Sequence, residues 1–226
     1  VDGRIFKVHD AFNQFQEPAE PIPDEITKIT GITNNMVSGH AIDKESVTEI
    51  IESASIIIAH NANFDRKFAE KYLNIFTDKP WACSMMQIGW AEEGFDSLKL
   101  EYLGMKSGFF YEAHRASNDC YAGIELLSLE LPKSKRLALN ILLETARQST
   151  FRIWAEGSPF DLKDLLKQRG YRWNDGNDGQ PKSWYKDVTE ETVDRELLYL
   201  RSEIFQKDID IPKVKFDAFD RFSNRI

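Results

Sequence analysis

An α/β protein in two parts is what the sequence predicts: a larger domain over residues 1–148 and a small α/β module over 149–226. Two observations carry this. Short apolar runs rich in β-branched residues, Ile56-Ile57-Ile58-Ala59 above all, are followed almost at once by stretches of helical length, and strands interleaved with helices make α/β layers. The pattern breaks at Pro132 and the basic cluster Lys133, Lys135 and Arg136, then restarts beyond Ser149 as strand, helix, strand. The chain can fill such cores, with 226 residues, 42% of them hydrophobic, among them 15 Phe, 7 Tyr and 5 Trp.

The elements follow in order. Asp2-Gly3 is a strong hairpin signal, because both central positions of a type I′ turn need positive φ. Residues 4–9 supply the strand after it, with Phe6 and Val8 on one face, whereas only Val1 stands before it. The chain is therefore expected to open on a hairpin cut at its turn, with something upstream missing. A loop holding Pro18, Pro21 and Pro23 leads to a helix over 24–30 that Gly31 stops. Asp43 caps a second helix reaching about Ser53. The run 56–59 suits a strand buried on both faces. Helices are expected over 63–73, near 85–90, and over 115–129 and 136–147, with a short strand over 81–84. In the module, strands over 151–155, 171–174 and 183–188 alternate with helices over 160–169 and 190–205, and a proline-interrupted tail closes the chain.

Composition excludes several classes. The net charge of −8 argues against coating duplex nucleic acid by bulk attraction. Residues 151–226 hold 14 basic and 15 acidic side chains, so the carboxylate excess lies in the larger domain. No apolar run approaches the roughly 20 residues of a membrane span, so no membrane partner is expected. Cys83 and Cys120 are too few for a disulfide framework or a cysteine-rich zinc site. They read as buried free thiols in a reducing, cytoplasmic compartment.

Chemistry concentrates in two stretches. His60-Asn61-Ala62-Asn63-Phe64-Asp65 sits where a strand turns into a helix, the edge at which α/β sheets bind ligands, and Asp65 projects from the first helical turn. On spacing alone, Asp65 is a carboxylate that favours the helix dipole. His114-Arg115-Ala116-Ser117-Asn118-Asp119 places Asp119 inside a helix, and five residues make about one and a half turns. His114 must therefore lie just before the helix if it is to face the same site.

These two stretches resemble the second and third motifs of the DnaQ-like family, the DEDDh 3′-to-5′ exonucleases that include the proofreading subunit of bacterial replicative polymerase. Pro21-Ile22-Pro23 followed by Ile29-Thr30-Gly31-Ile32-Thr33, and Leu98-Lys99-Leu100-Glu101-Tyr102-Leu103, resemble further family segments, so the likeness covers roughly residues 1–131. The resemblance implies an RNase H-like fold and phosphodiester hydrolysis at two Mg²⁺ or Mn²⁺ ions. It implies that Asp119 ligates the metal holding the nucleophilic water, that Asp65 supports the other metal, and that His114 is the general base. Arg115 either contacts phosphate or braces its loop. His9, His40 and His60 read as structural, with His60 tying the strand to its neighbours. Implied partners are single-stranded or frayed DNA ends, with RNA as the other substrate, and a replication or repair polymerase.

One family feature is absent, the Asp-x-Glu of the opening strand. Asp43-Lys44-Glu45 and Asp194-Arg195-Glu196 have that spacing, but they read as a helix cap and a solvated helical face. The chain is thus expected to be an exonuclease domain lacking its first strand, inactive as residues 1–226. The alternative is a non-catalytic nucleic-acid-binding or polymerase-associated protein on the same scaffold.

The module resembles, more vaguely, a C-terminal extension of some bacterial DnaQ-like exonucleases. Its residues 163–186 carry six basic and three acidic side chains around Tyr171, Trp173, Trp184 and Tyr185. Trp173 and Trp184 can stack on the bases of a single strand or form the core of a small sheet. Gln148-Ser149-Thr150-Phe151, faintly similar to a clamp-binding peptide, reads as a domain junction.

Overall fold

A computed structural model describes residues 3–9 and 11–225. Contacts divide the chain into two units, residues 1–145 and 146–226. The mixed α/β character is as the sequence predicts. Among the described residues no helix is long and apolar enough to cross a membrane.

The first unit begins without the expected strand. Residues 4–9 have no regular structure and are mostly exposed, with Phe6 turned to solvent, and Val1 and Asp2 of the proposed hairpin lie outside the described residues. Period-two alternation specifies a face only where a neighbouring strand pairs with it, and none does so here. Helix α1, Asp24–Thr30, ends where Gly31 takes φ 67°, and α2 is the short helix Asn34–Val37. In α3, Lys44–Ser53, Asp43 caps as expected, its Oδ1 accepting from the N–H groups of Glu45 (3.0 Å) and Ser46 (3.3 Å).

Strand β1, Ile57–Ala59, runs parallel to β2, Trp81–Cys83, in the register Ile57↔Trp81, Ile58↔Ala82, Ala59↔Cys83. All three residues of β2 are buried, whereas β1 is only half-buried, which corrects the expectation of burial on both faces. Among the described residues each strand pairs with the other alone, and because Ile57 and Ala59 bond toward β2, the alternation of a parallel ladder turns the N–H and C=O of Ile58 to the outer edge of β1. Helix α4, Ala62–Tyr72, buries Ala62 and Arg66. Arg66 bonds Glu70 one turn on at 2.6 Å, and its guanidinium lies 5.6 Å from the Trp81 ring centroid.

The helix expected near 85–90 is instead a series of turns. The Gln87 side chain accepts from the Cys83 N–H at 2.8 Å, the Trp90 indole donates to the Ser84 carbonyl at 2.7 Å, and Gly89 interrupts the run. Burying Ile88 and Trp90 in that folded-back loop outweighs helical propensity. Helices α5, Leu100–Lys106, α6, Ala116–Ser128, and α7, Ala138–Arg147, follow, and α5 packs on α6. The turn after Pro132 is held by the buried Glu93 carboxylate, which accepts from the N–H groups of Lys133 (2.8 Å) and Ser134 (3.1 Å).

The second unit is a four-stranded antiparallel sheet in the order β4-β5-β3-β6: β3 Thr150–Ala155, β4 Arg172–Trp173, β5 Trp184–Thr189 and β6 Lys213–Phe216. Helix α8, Lys163–Gln168, follows a 3₁₀ turn at Phe160–Leu162, and α9, Val193–Tyr199, continues as a π-helical segment, Leu200–Phe205. The expected long helices at 160–169 and 190–205 are thus each split. Strand β6 lies in the stretch expected to be a proline-interrupted tail, and Pro212 precedes it with its carbonyl accepting from the Trp154 N–H at 3.0 Å.

Alternation along β3 divides this sheet's two faces. Phe151, Ile153 and Ala155 join Leu166, Tyr171, Val188, Leu197, Leu200 and Ile204 in one core. On the other face Arg152 grips Asp187 with two bonds (2.7 and 2.9 Å), its guanidinium 4.6 Å from the Tyr185 ring centroid and 5.6 Å from that of Phe216.

Glu196 overturns the reading of Asp194-Arg195-Glu196 as a solvated face, since it is only 4% exposed. It accepts from Arg169 (2.8 Å) and Lys186 (3.2 Å). Burial works to raise its pKa, but the Arg169 and Lys186 hydrogen bonds and charges outweigh it and hold the carboxyl below its ordinary 4.5. Removing one member of such a cluster strands the others, so Glu196→Ala should cost about 3–5 kcal/mol in chemical denaturation. Because the folded-state pKa lies below the unfolded one, the contribution is complete above about pH 4.5 and lost as pH falls through the folded value. The loss of stability between wild type and Glu196→Ala should accordingly shrink on acidification, and an equal gap at acid and neutral pH would count against the charge cluster.

Candidate active site

The first of the two motif stretches begins where β1 ends. After Ala59 the chain turns through His60 and Asn61, and Asn61 adopts φ 76°, a left-handed conformation that asparagine tolerates better than most residues. Ala62 is fully buried, its N–H directed at the Cys83 sulfur at 3.4 Å, which seats the start of α4 against the end of β2. A larger side chain would not fit there. Asp65 then falls in the first turn of α4 with its carboxylate at the surface.

His60 links the neighbouring segments. Its Nε2–H donates to the Leu98 carbonyl at 2.8 Å, which leaves Nδ1 to accept from the Ser84 hydroxyl at 2.9 Å. Burial lowers its pKa, against the Leu98 hydrogen bond and the Asp119 charge, so the neutral ring that this pairing requires is favoured.

The second stretch enters α6. His114 has φ 68°, immediately before the helix, and its side chain is exposed. A left-handed backbone at a non-glycine residue costs free energy and persists where the surroundings fix it. Two bonds fix this entry: Asn118 Nδ2 donates to the Glu112 carbonyl at 2.9 Å, and the Asp119 N–H to the Arg115 carbonyl at 2.9 Å. Asp119 lies in the first turn of α6. Arg115 reaches back to the Gly31 carbonyl at 3.5 Å, and a Cβ on Gly31 would come within 3.1 Å of that guanidinium. Of its two expected roles, this contact fits the brace.

Electrostatics show which groups share one locale. Partial burial raises the Cys120 thiol, and the charges of Asp119 and Asp65 both raise it further, so both carboxylates lie within electrostatic range of this sulfur. Cys120 is exposed, contrary to expectation, while Cys83 is buried. Tyr111 is pushed far up, first by burial, then by the charge of Asp119 and a hydrogen bond to it, and by the Glu101 charge. Partial burial raises the Asp65 carboxyl above its ordinary value as well. Neither Tyr111 nor Cys120 was legible as a neighbour of the site from the sequence, although Cys120 adjoins Asp119 in the chain.

Carboxylate oxygens are the donors that Mg²⁺ and Mn²⁺ take. Two carboxylates are too few to hold two such ions, and among the described residues no group of three or more His, Cys, Asp or Glu is assembled to bind a metal. Trp173 and Trp184 belong to the second unit, on β4 and β5.

The profile of the RNase T exonuclease family matches residues 1–127, more than half of the chain. A DNA polymerase III of PolC type from Clostridium perfringens is 31% identical over 140 residues, covering 59% of this chain and 10% of that protein. The DNA polymerase III subunit epsilon of Aquifex aeolicus is 29% identical over 133 residues, covering 56% of this chain and 65% of that one. A PolC-type polymerase from Thermotoga maritima is 29% identical over 185 residues, covering 72% of this chain and 12% of that protein. The chain thus spans about a tenth of these PolC-type relatives and just under two thirds of the epsilon subunit. No solved structure matches it. Since the family profile runs through both motifs and covers more than half of the chain, the chain belongs to the RNase T family of DnaQ-like exonucleases.

Proposed function

We propose that the first unit contributes to a metal-dependent 3′-to-5′ exonuclease of RNase H-like architecture, in which Asp65 and Asp119 are two of the metal-binding carboxylates and His114 is the general base. The observation that carries this is the family profile running through both motifs, with Asp65 in the first turn of α4, Asp119 in the first turn of α6 and His114 immediately before it. Mg²⁺ or Mn²⁺ ions bound there would stabilise charge on the attacking and leaving oxygens of the phosphodiester. His114 takes a proton from the attacking water, as a general base. Arg115, bonded to the Gly31 carbonyl, orients the His114 loop. The substrate is a single-stranded or frayed DNA end, and the names of the relatives support association with a replicative polymerase.

The remaining carboxylates, in this reading, arrive on a strand added to the open edge of β1. Ile58 offers an unpaired N–H and C=O there. Helix α4 also leaves Phe64 and Phe68 59% and 63% exposed, their rings 4.8 Å apart, an apolar face such a strand would cover. The strand would carry Asp-x-Glu, whose period-two spacing puts both carboxylates on one face.

Residues 1–226 alone, incubated with an end-labelled single-stranded oligonucleotide and Mg²⁺ or Mn²⁺, should give no measurable shortening. Robust metal-dependent degradation would overturn the incomplete-site reading. In a longer form of the chain that carries the Asp-x-Glu strand, Asp119→Asn and His114→Ala should each lower turnover by roughly 100- to 10,000-fold, because ligand and base act as a unit. Near-normal turnover of Asp119→Asn would remove it from the site. A longer form that binds DNA without shortening it would favour the non-catalytic alternative.

A further inference from the structure

Trp173 is the second unit's most conspicuous exposed group. It sits on β4, the edge strand, which pairs only with β5, and it is 51% exposed. Its cross-strand partner Trp184 is half-buried against the helix-side core and meets Trp173 edge-on, ring centroids 5.6 Å apart at 65°. The two indoles therefore divide the alternatives that the sequence left open. Trp184 is packing, and its edge supports Trp173, whose ring remains available.

Lys182, two residues before Trp184 and so on the same face of the sheet, is exposed, whereas Arg172 turns to the opposite face, its guanidinium 5.9 Å from the Tyr185 ring centroid. The ladder continues past the tryptophans through the reciprocal Asn174 and Ser183 bonds (2.9 and 3.1 Å), so Lys182 follows at the next pair, toward the loop. The loop's own carboxylates are engaged within it. Asp175 accepts from the Asn177 N–H (3.0 Å) and side-chain amide (2.8 Å), and Asp178 from the Asn174 side chain (2.9 Å) and the Gln180 N–H (3.0 Å). Among the described residues neither Arg172 nor Lys182 is in an ion pair.

We propose that Trp173, with Lys182 on its own face of the sheet and supported by Trp184, is a base-stacking platform for single-stranded nucleic acid on the edge of the second unit's sheet. An exposed indole with an exposed, unpaired lysine on the same face matches a base and its neighbouring phosphate. It matches an apolar protein partner less well, since that would call for a contiguous apolar patch. The chain's net charge does not oppose this, because at physiological salt charges beyond about 8 Å are largely screened and the local pattern decides. The platform extends the proposed function by giving the second unit its own hold on single strands, one that needs no metal.

The test uses residues 1–226 and a fluorescein-labelled oligo(dT) of about 16 nucleotides, with EDTA present so that metal at the first unit contributes nothing. Anisotropy should report binding at low salt, weakened about tenfold or more by Trp173→Ala and largely kept by Trp173→Phe. Lys182→Ala should lower the slope of log affinity against log salt by about 0.7, one phosphate contact on a single strand. Melting of each variant is measured alongside, and for exposed positions should not move. Absence of binding by the wild type, or Trp173→Ala and Lys182→Ala proteins that melt and bind as the wild type does, would overturn the platform. If Trp173→Ala fails to fold, Lys182→Ala decides, and an unchanged affinity and salt slope overturns it. None of these outcomes depends on whether the first unit cleaves.

Discussion

The parallel ladder between Ile57–Ala59 and Trp81–Cys83 is three residue pairs long, and the rest of the site hangs from its C-terminal end. Two parallel strands finish together, so His60 and Ser84 emerge side by side and bond at 2.9 Å. The other imidazole nitrogen draws in Leu98, just ahead of α5, and α5 packs on α6. The buried Ala62 meanwhile seats α4 against Cys83. Asp65 and Asp119, which are 54 residues apart in the chain, thus each open a helix whose start is referred to the same strand ends.

Among the described residues each strand of that ladder is paired on one edge only, and the outer edge of β1 connects three otherwise separate observations. Ile58 has unpaired backbone groups, α4 shows two phenylalanines to solvent, and the carboxylates fall short of the number two divalent ions need. A single added strand with Asp-x-Glu answers all three, which is why the proposed function treats them as one deficit. Tyr111 and Cys120 already feel the charge of Asp119, so further carboxylates would make this a strongly negative locale without metal.

Sequence legibility followed the range of the interactions. Helices α1 and α3 were readable to the residue because Gly31 and Asp43 act on their own backbone neighbours. The helical placement of Asp65 and Asp119 was readable because their motifs are local, and each sits in a first helical turn. Residues 4–9 alternate well but pair with nothing described, and residues 85–90 look helical yet fold back over Gln87 and Trp90, choices made by tertiary partners. Glu196 looked solvated because Arg169 and Lys186 lie 27 and 10 residues away. Strand β6 did carry a signal, since Val214 and Phe216 alternate with Lys213 and Lys215. Pro212 obscured it, although proline is well tolerated at the entry to an edge strand.

The direct test of the central claim, that Asp65 and Asp119 are part of a two-ion site completed at the edge of β1, is calorimetric titration of Mn²⁺. Residues 1–226 should show no tight binding, whereas the chain with an Asp-x-Glu strand should take up about two ions and lose them on Asp119→Asn. Tight uptake by residues 1–226 alone, or two-ion binding that survives Asp119→Asn, would contradict it.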